Sequence, residues 1–125
     1  MVTATFTSDG GMLSAEVVLS AARDGSYDLR LWHSGLNWKI KEWNGNFLNT
    51  ADDRYDLPEP AQANDGRLLQ ALVVIAVPAG VSPCTVSLVV RQAEREIARE
   101  ERTVPPGSVD QITQLWVSLA GGGRA

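Results

Sequence analysis

Residues 68–81 read LLQALVVIAVPAGV, the longest apolar stretch of the chain, interrupted by Gln70, Pro78 and Gly80. A membrane-spanning helix needs about 20 apolar residues, so this stretch is too short for one. Its side chains are mostly β-branched or bulky, and a Pro-Ala-Gly sequence ends the run, as at the end of a buried strand. The stretch therefore predicts a buried central strand over residues 67–77.

The composition around this stretch is that of an acidic globular protein. The chain has 125 residues, of which 44% are hydrophobic and 21% charged, and this fits one domain. A net charge of −4 provides no basic field for a phosphate backbone, so nucleic acid is not an expected partner. We predict one domain over residues 1–120 and a glycine-rich flexible tail over 121–125.

Cysteine usage and the start of the sequence bear on location. Cys84 is the one cysteine, which excludes a disulfide framework. The first residues, MVTATFTSDGG, lack the basic start and apolar core of a secretory signal. These features predict a reducing, cytoplasmic location without a membrane partner.

Most of the chain alternates polar and apolar residues between turn signals, which predicts about eight strands. Residues 92–102 read QAEREIAREER, where a helix would place like charges four residues apart. A hairpin that turns near 93–96 is therefore favoured there. The fold class that we predict is all-β: a single antiparallel β-sandwich, immunoglobulin-like or C2-like, with about seven to nine strands.

One hairpin can be paired residue by residue if Ser34-Gly35 forms a two-residue turn. The resulting pairs are Leu31 with Trp38, Leu29 with Ile40, Asp28 with Lys41 and Arg30 with Lys39. The last pair brings two positive charges together, which opposes this register. The same register predicts that Trp38 is a core residue.

Residues 48–66 read LNTADDRYDLPEPAQANDG and predict a long polar loop. Such a loop either carries a function or crosses from one sheet to the other. Its acidic residues, Asp52, Asp53, Asp56 and Glu59, are the best candidates for Ca²⁺ ligands. Their spacing differs from an EF-hand and Arg54 lies among them, so an ordinary charged loop is favoured. We predict no bound metal and no cofactor.

Catalytic chemistry has little support in the sequence. His33 is the one histidine, and no nucleophile motif accompanies it, although a dyad with Cys84 or a distant serine stays open. One histidine and one cysteine cannot supply four zinc ligands of nitrogen and sulfur. Nothing positions Glu42 and the loop aspartates as an acid–base pair. No glycine-rich phosphate loop is present either, so we predict no catalytic residue and no enzyme.

Three of the four tryptophans fall on the polar phase of their predicted strands. Trp32 is in phase with Asp28 and Arg30, Trp43 with Lys39 and Lys41, and Trp116 with Gln114 and Ser118. Val18 and Val89 share this solvent-facing phase. Large aromatic side chains on that side indicate contact with a partner chain, a sugar ring or another segment of the same chain. The candidate partner-binding residues are Trp32, Trp43, Trp116, Arg30 and Lys41.

The leading hypothesis for function is a non-enzymatic protein–protein interaction or self-assembly module that presents an aromatic patch on one sheet. Its partner is another protein or a second copy of the chain. The alternative is a carbohydrate-binding module that uses Trp43, Trp32 and the acidic loop with its candidate Ca²⁺ ligands. A third interpretation has the long loop fold back over Trp32 and Trp43 as a small second cluster.

Overall fold

The computed structural model describes residues 1–20, 25–35, 37–47, 54–107 and 110–122. The described strands are β1 (Val2–Phe6), β2 (Leu13–Leu19), β3 (Gly25–Trp32), β4 (Lys39–Asn46), β5 (Arg54–Asp56), β6 (Leu68–Ile75), β7 (Cys84–Gln92), β8 (Arg95–Val104) and β9 (Gln111–Gly121). One 3₁₀ helix, Ala61–Asn64, lies between β5 and β6. The fold is all-β, as predicted.

The strands form two sheets. The five-stranded sheet has the order β1-β9-β6-β3-β4, and the four-stranded sheet has the order β5-β2-β7-β8. Every described pair of strands is antiparallel except β1 with β9, which run parallel. This parallel pair departs from the purely antiparallel arrangement that we predicted. Alternation reports which face a side chain occupies and carries no information on strand direction, so the sequence pattern could not reveal it.

Strand β6 occupies the middle of the five-stranded sheet, between β9 and β3, as predicted for the most apolar stretch. One face of it is fully buried and consists of Leu69, Ala71, Val73 and Ile75. The apolar residues of its other face, Leu68, Leu72 and Val74, are only half-buried. Among the described residues, β6 is therefore fully covered on one side alone.

The two sheets share one hydrophobic core. Leu88 and Val90 from β7 belong to the same buried cluster as Leu115 and Val117 from β9. Each of these side chains is 0% exposed. Burial of a Leu or Val side chain contributes about 1.5–3 kcal/mol, so contact between the inner faces of the sheets is the main source of stability.

The register of the β3–β4 hairpin differs from the prediction. Leu29 lies opposite Trp43, Arg30 opposite Glu42, Leu31 opposite Lys41, and Trp32 opposite Lys39. The connection between the two strands is longer than the predicted two-residue turn. It is closed by a hydrogen bond of 3.1 Å from the His33 N–H to the carbonyl of Trp38. A bulge at Ile40 accompanies it, because no β3 residue pairs with Ile40. The longer connection replaces the predicted clash of Arg30 and Lys39 with an ion pair of Arg30 and Glu42.

The second hairpin agrees with the prediction. Strands β7 and β8 are joined at Ala93 and Glu94, and Ala93 has a φ of +53°. On the outer side of this hairpin, Val89 is 0% exposed although its phase predicted solvent. The expectation of an exposed Val89 was wrong because its cross-strand neighbours, Glu16 and Arg99, carry long side chains that cover it.

The long connection after β4 joins the two sheets. Residues 48–53 lie outside the described part, but the next described segment, Arg54–Asp56, pairs with β2 in the four-stranded sheet. Of the two roles considered for this loop, the crossing between sheets is therefore confirmed. Most of the predicted tail, residues 123–125, also lies outside the described part, while Gly121 is the last residue of β9.

Candidate functional site

The outer face of the five-stranded sheet carries an apolar patch built by three adjacent strands, β3, β6 and β9. We call it the outer patch; it consists of Trp32, Leu68, Leu72, Val74, Ile112 and Trp116. Because side chains alternate along a strand, these residues lie on the face of the sheet that points away from the buried residues of the same strands. Ile112 is 70% exposed. The side chains of the outer patch are thus partly available to another molecule.

A polar side chain at the centre of the outer patch connects the strands. Gln70 of β6 lies directly opposite Trp116 and accepts a hydrogen bond from Trp32 Nε1 over 3.0 Å. Its own amide donates to Gln114 Oε1 over 3.0 Å. Gln70 is only 8% exposed although it lies on the outer face. These bonds orient the Trp32 indole and satisfy the nearly buried amide.

The charged side chains that the strands carry on this face lie at one margin, formed by β3 and β4, while Asp110, directly before β9, lines a recess with Ser26 and Val74. Arg30 Nε lies 2.6 Å from Glu42 Oε2, and Arg30 Nη2 lies 3.4 Å from Asp28 Oδ2. Lys39 Nζ lies 3.1 Å from Glu42 Oε1. The guanidinium of Arg30, and then the Lys39 ammonium, hold the pKa of Glu42 below its ordinary value. These two acidic and two basic groups compensate one another.

The outer face of the four-stranded sheet is different in character. Its strands carry long Arg and Glu side chains, and Arg91 pairs with the nearly buried Glu16. Arg99 Nη2 lies 2.8 Å from Glu96 Oε1, and it lowers the pKa of that carboxyl. Apolar side chains on this face lie beneath these charges, as Val89 does. Of the two outer faces, only that of the five-stranded sheet exposes a connected apolar area in the part of the chain described.

The structure places three of the five predicted partner-binding residues together. Trp32, Trp116 and Arg30 lie on the outer face of the five-stranded sheet. Trp43 and Lys41 lie on the opposite, core-facing side, in register with buried residues of β3. The prediction that Trp43 faces solvent was wrong because the bulge at Ile40 adds one residue, which reverses the phase of the rest of β4.

Trp43 instead belongs to an aromatic cluster between the sheets. Its ring centroid lies 5.6 Å from that of Tyr55, which β5 contributes from the four-stranded sheet. Tyr27 Oη and Tyr55 Oη are 2.7 Å apart, and the Tyr27 ring lies 5.2 Å from Phe47. The third sequence interpretation had the long connection fold back over Trp32 and Trp43, whereas Tyr55 contacts Trp43 from β5 of the four-stranded sheet, on the core-facing side. Sequence reasoning missed this cluster because Tyr55 lies inside a stretch predicted to be a polar loop.

Trp38 and His33 form a stack at the β3–β4 connection. Their ring centroids are 4.0 Å apart with an interplanar angle of 24°. His33 Nδ1 lies 3.1 Å from Asn37 Oδ1. Trp38 is 53% exposed, so its prediction as a core residue was wrong. Once Ser34-Gly35 no longer forms a two-residue turn, Trp38 lies in the connection before β4.

The candidate catalytic and metal groups do not form a site in the described part of the chain. Cys84 is buried in the core, and its Sγ lies 3.7 Å from Ser20 Oγ, whereas His33 stacks on Trp38. No cluster of three or more potential metal-binding side chains is found among the described residues. Two members of the acidic cluster, Asp52 and Asp53, lie outside them.

Two further features of the described residues bear on binding. An open cleft of about 560 Å³ is lined by Ser8, Asp9, Gly11, Met12, Glu59, Pro60 and Ala61. No described helix combines the length and hydropathy that a membrane span needs. Comparison of the chain with protein-family models, with curated proteins and with solved structures gave no match.

Proposed function

We propose that this protein is a non-enzymatic protein–protein interaction or self-assembly module, and that the outer patch is its binding surface. The observation that carries the proposal is the partly exposed apolar area on β3, β6 and β9, with Ile112 70% exposed at its end. Connected apolar surface of this kind is typical of binding sites, and tryptophan is enriched among the residues that dominate binding energy. Trp32, Trp116 and Arg30 are the proposed contact residues.

The same proposal includes the finer class of the fold. Two sheets that share one core are compatible with a β-sandwich of the immunoglobulin-like or C2-like type. It also includes a cytoplasmic location, supported by a single cysteine that is buried in the core. The net charge of −4 supports a protein partner rather than nucleic acid.

The carbohydrate-binding hypothesis is the rival. It combined Trp32 and Trp43 into one platform, but these residues lie on opposite faces of the five-stranded sheet. A sugar ring stacked on Trp32 would therefore need other partners than those expected. A glycan array tests this rival directly, and retention of a sugar by the purified protein would favour it over the interaction module.

Site-specific photo-crosslinking tests the proposed function. A benzophenone amino acid replaces Ile112 on the outer patch, and in a matched variant it replaces Glu101, whose side chain is 51% exposed on the four-stranded sheet. Both variants are irradiated in the cells that produce the protein, and the adducts are identified by mass spectrometry. We expect a discrete protein adduct at position 112. We expect that adduct to be absent from the variant with benzophenone at position 101.

The outcomes separate the hypotheses. An adduct at 112 whose partner is the same chain or one other protein supports the interaction module. Equal, diffuse labelling at both positions contradicts it, because the outer patch would then behave like any exposed surface. A blank at both positions also contradicts it.

A further inference from the structure

We propose that the occupant of the outer patch is a second copy of this chain, bound face to face through the outer side of the five-stranded sheet. This inference rests on the proposed function and names its partner. It follows from the distribution of charge across the face, from the symmetry of that charge along β3, and from the area of the face.

The strands β1, β9 and β6 bear no charged side chain on this face, while Asp110, directly before β9, lines a recess with Val74. Besides the outer patch, these strands contribute Thr3, Thr5, Gln70, Gln114, Ser118 and Ala120 to the face. In a chain of which 21% is charged, such a surface is poorly suited to a charged peptide or an ionic ligand. Interface cores are depleted of charge in the same way. Two copies that meet over these three strands place none of the strands' side chains at the interface as an unpaired ion.

The charged margin is complementary to itself. Asp28 and Arg30 are neighbours on the same face of β3, with Asp28 at 34% and Arg30 at 27% side-chain exposure. A twofold axis that lies in the interface and crosses β3 between them places Asp28 of each copy over Arg30 of the other. Isologous contacts of this kind occur in pairs, so each dimer gains two such juxtapositions.

The same axis also determines which residues of β6 face each other across the interface. It crosses β6 between Gln70 and Leu72, because these residues lie level with Arg30 and Asp28 in the sheet. Leu68 and Val74 are equally distant from it, so Leu68 of one copy lies over Val74 of the other.

On β9 the same axis places Trp116 over Gln114 and Ile112 over Ser118 of the other copy, because these residues lie level with Gln70, Leu72, Val74 and Leu68 of β6. Acid therefore meets base on β3, Leu68 meets Val74 on β6, and the apolar residues of β9 meet uncharged polar ones.

The area is sufficient for a dimer. Five strands at about 4.8 Å spacing and about eight residues at 3.3 Å each give a face of roughly 24 by 26 Å. Two such faces bury about 1,200 Å², which is the lower end of the range for specific, stable interfaces. The described strands all belong to the two sheets, and the 3₁₀ helix buries Ala61 in the shared core, so none of them forms a third layer here.

Sedimentation equilibrium of the purified protein tests the proposal. We expect a reversible shift from the 13.5 kDa monomer toward twice that mass as concentration rises to several hundred micromolar. Ile112→Lys introduces a charge into the part of the face formed by β1, β9 and β6 and is expected to weaken the dimer at least tenfold. Val81→Lys, at a residue that is 39% exposed in the loop before β7, serves as the matched control and leaves association unchanged.

Cross-linking identifies the interface. Gln114→Cys lies on the outer face next to the proposed axis, Glu101→Cys lies on the other sheet, and the native Cys84 is 0% exposed. A short bis-maleimide is expected to convert the Gln114→Cys protein into a covalent dimer and to leave the Glu101→Cys protein monomeric. A monomer at all concentrations, or equal cross-linking of both variants, overturns the proposal.

The two proposals fail separately. If the purified chain is monomeric while the benzophenone at Ile112 captures one different protein in cells, the second-copy proposal is wrong and the interaction module stands. If the chain is monomeric and position 112 captures nothing, both are wrong. If a dimer forms and Ile112→Lys does not weaken it, the dimer uses another surface and the second-copy proposal at this face is wrong.

Discussion

Gly45 lies opposite Tyr27 across the β3–β4 pair and leaves room for its hydroxyl. A Cβ at position 45 would lie 2.3 Å from Tyr27 Oη, which is closer than any real contact. The same hydroxyl is 2.7 Å from Tyr55 Oη and links the two sheets. A glycine here is therefore required by packing, and this requirement becomes visible only once Tyr27 and β4 are placed side by side.

We expect Gly45→Ala to lower the free energy of unfolding by about 1–3 kcal/mol, because the ring must move away from its buried position. Urea denaturation followed by tryptophan fluorescence measures this loss. Gly35→Ala is the control, since its nearest heavy atom would lie 3.6 Å away, an ordinary contact. A Gly45→Ala protein as stable as the Gly35→Ala protein would contradict the assigned packing.

At the scale of secondary-structure elements, the bulge at Ile40 marks the point in β4 beyond which the predicted alternation fails. Alternation correctly predicted the inward phase of Leu29 and Leu31 and the polar phase of Trp32. It misplaced Trp38 because it does not reveal the longer β3–β4 connection, and it misplaced Trp43 because it does not reveal the bulge at Ile40. Since side chains alternate with a period of two, the single extra residue exchanged the faces of everything after it.

A second connection between elements joins the edge strands β1 and β8. Glu100 of β8 is 7% exposed, and its carboxylate accepts the Val2 N–H over 3.0 Å. It also pairs with Arg102, and that hydrogen bond is the main cause of the lowered pKa of Glu100. The carboxylate thus connects two strands from different sheets.

The lowered pKa predicts a pH dependence of stability. The folded-state pKa of Glu100 lies below its unfolded value, so its stabilisation is complete above the unfolded pKa. It is lost as the pH falls through the folded pKa. We expect Glu100→Gln to be less stable than wild type at pH 7, and the difference to shrink as the pH is lowered below the ordinary range of Glu. Urea titrations at several pH values measure this, and a constant difference down to pH 3 would contradict it.

At the scale of the whole molecule, the shared core predicts that the two sheets unfold together. Leu88 lies in the four-stranded sheet and is 0% exposed, whereas the tryptophans lie on the five-stranded sheet or in the β3–β4 connection. Leu88→Ala is expected to cost about 2–5 kcal/mol and to shift fluorescence and circular dichroism transitions by the same amount. A fluorescence transition left in place while circular dichroism moves would contradict a single cooperative core. Val81→Ala, at a partly exposed loop residue, is the control.

The two outer faces of the molecule differ in character. Arg99, Glu96 and their neighbours form ion pairs over the four-stranded sheet, each worth about 0–1 kcal/mol at a surface. The outer patch on the five-stranded sheet has no comparable cover among the described residues, and Ile112 remains 70% exposed. The polar-phase tryptophans Trp32 and Trp116 were the sequence signal for this face. Nothing in the sequence pattern indicated that the Gln70 amide would connect Trp32 and Gln114 on this face.

The sequence was enough to predict the all-β class, the central position of the most apolar strand, the β7–β8 hairpin and the placement of Trp32 and Trp116 on a polar phase. All of these follow from local alternation and turn residues, which a single stretch of chain contains. The parallel pairing of β1 with β9, the inward orientation of Trp43 and the burial of Val89 became visible only in the folded chain. Each of these depends on a partner strand or a register distant in sequence, and the free energy of packing side chains across strands selects among arrangements that local patterns leave equivalent.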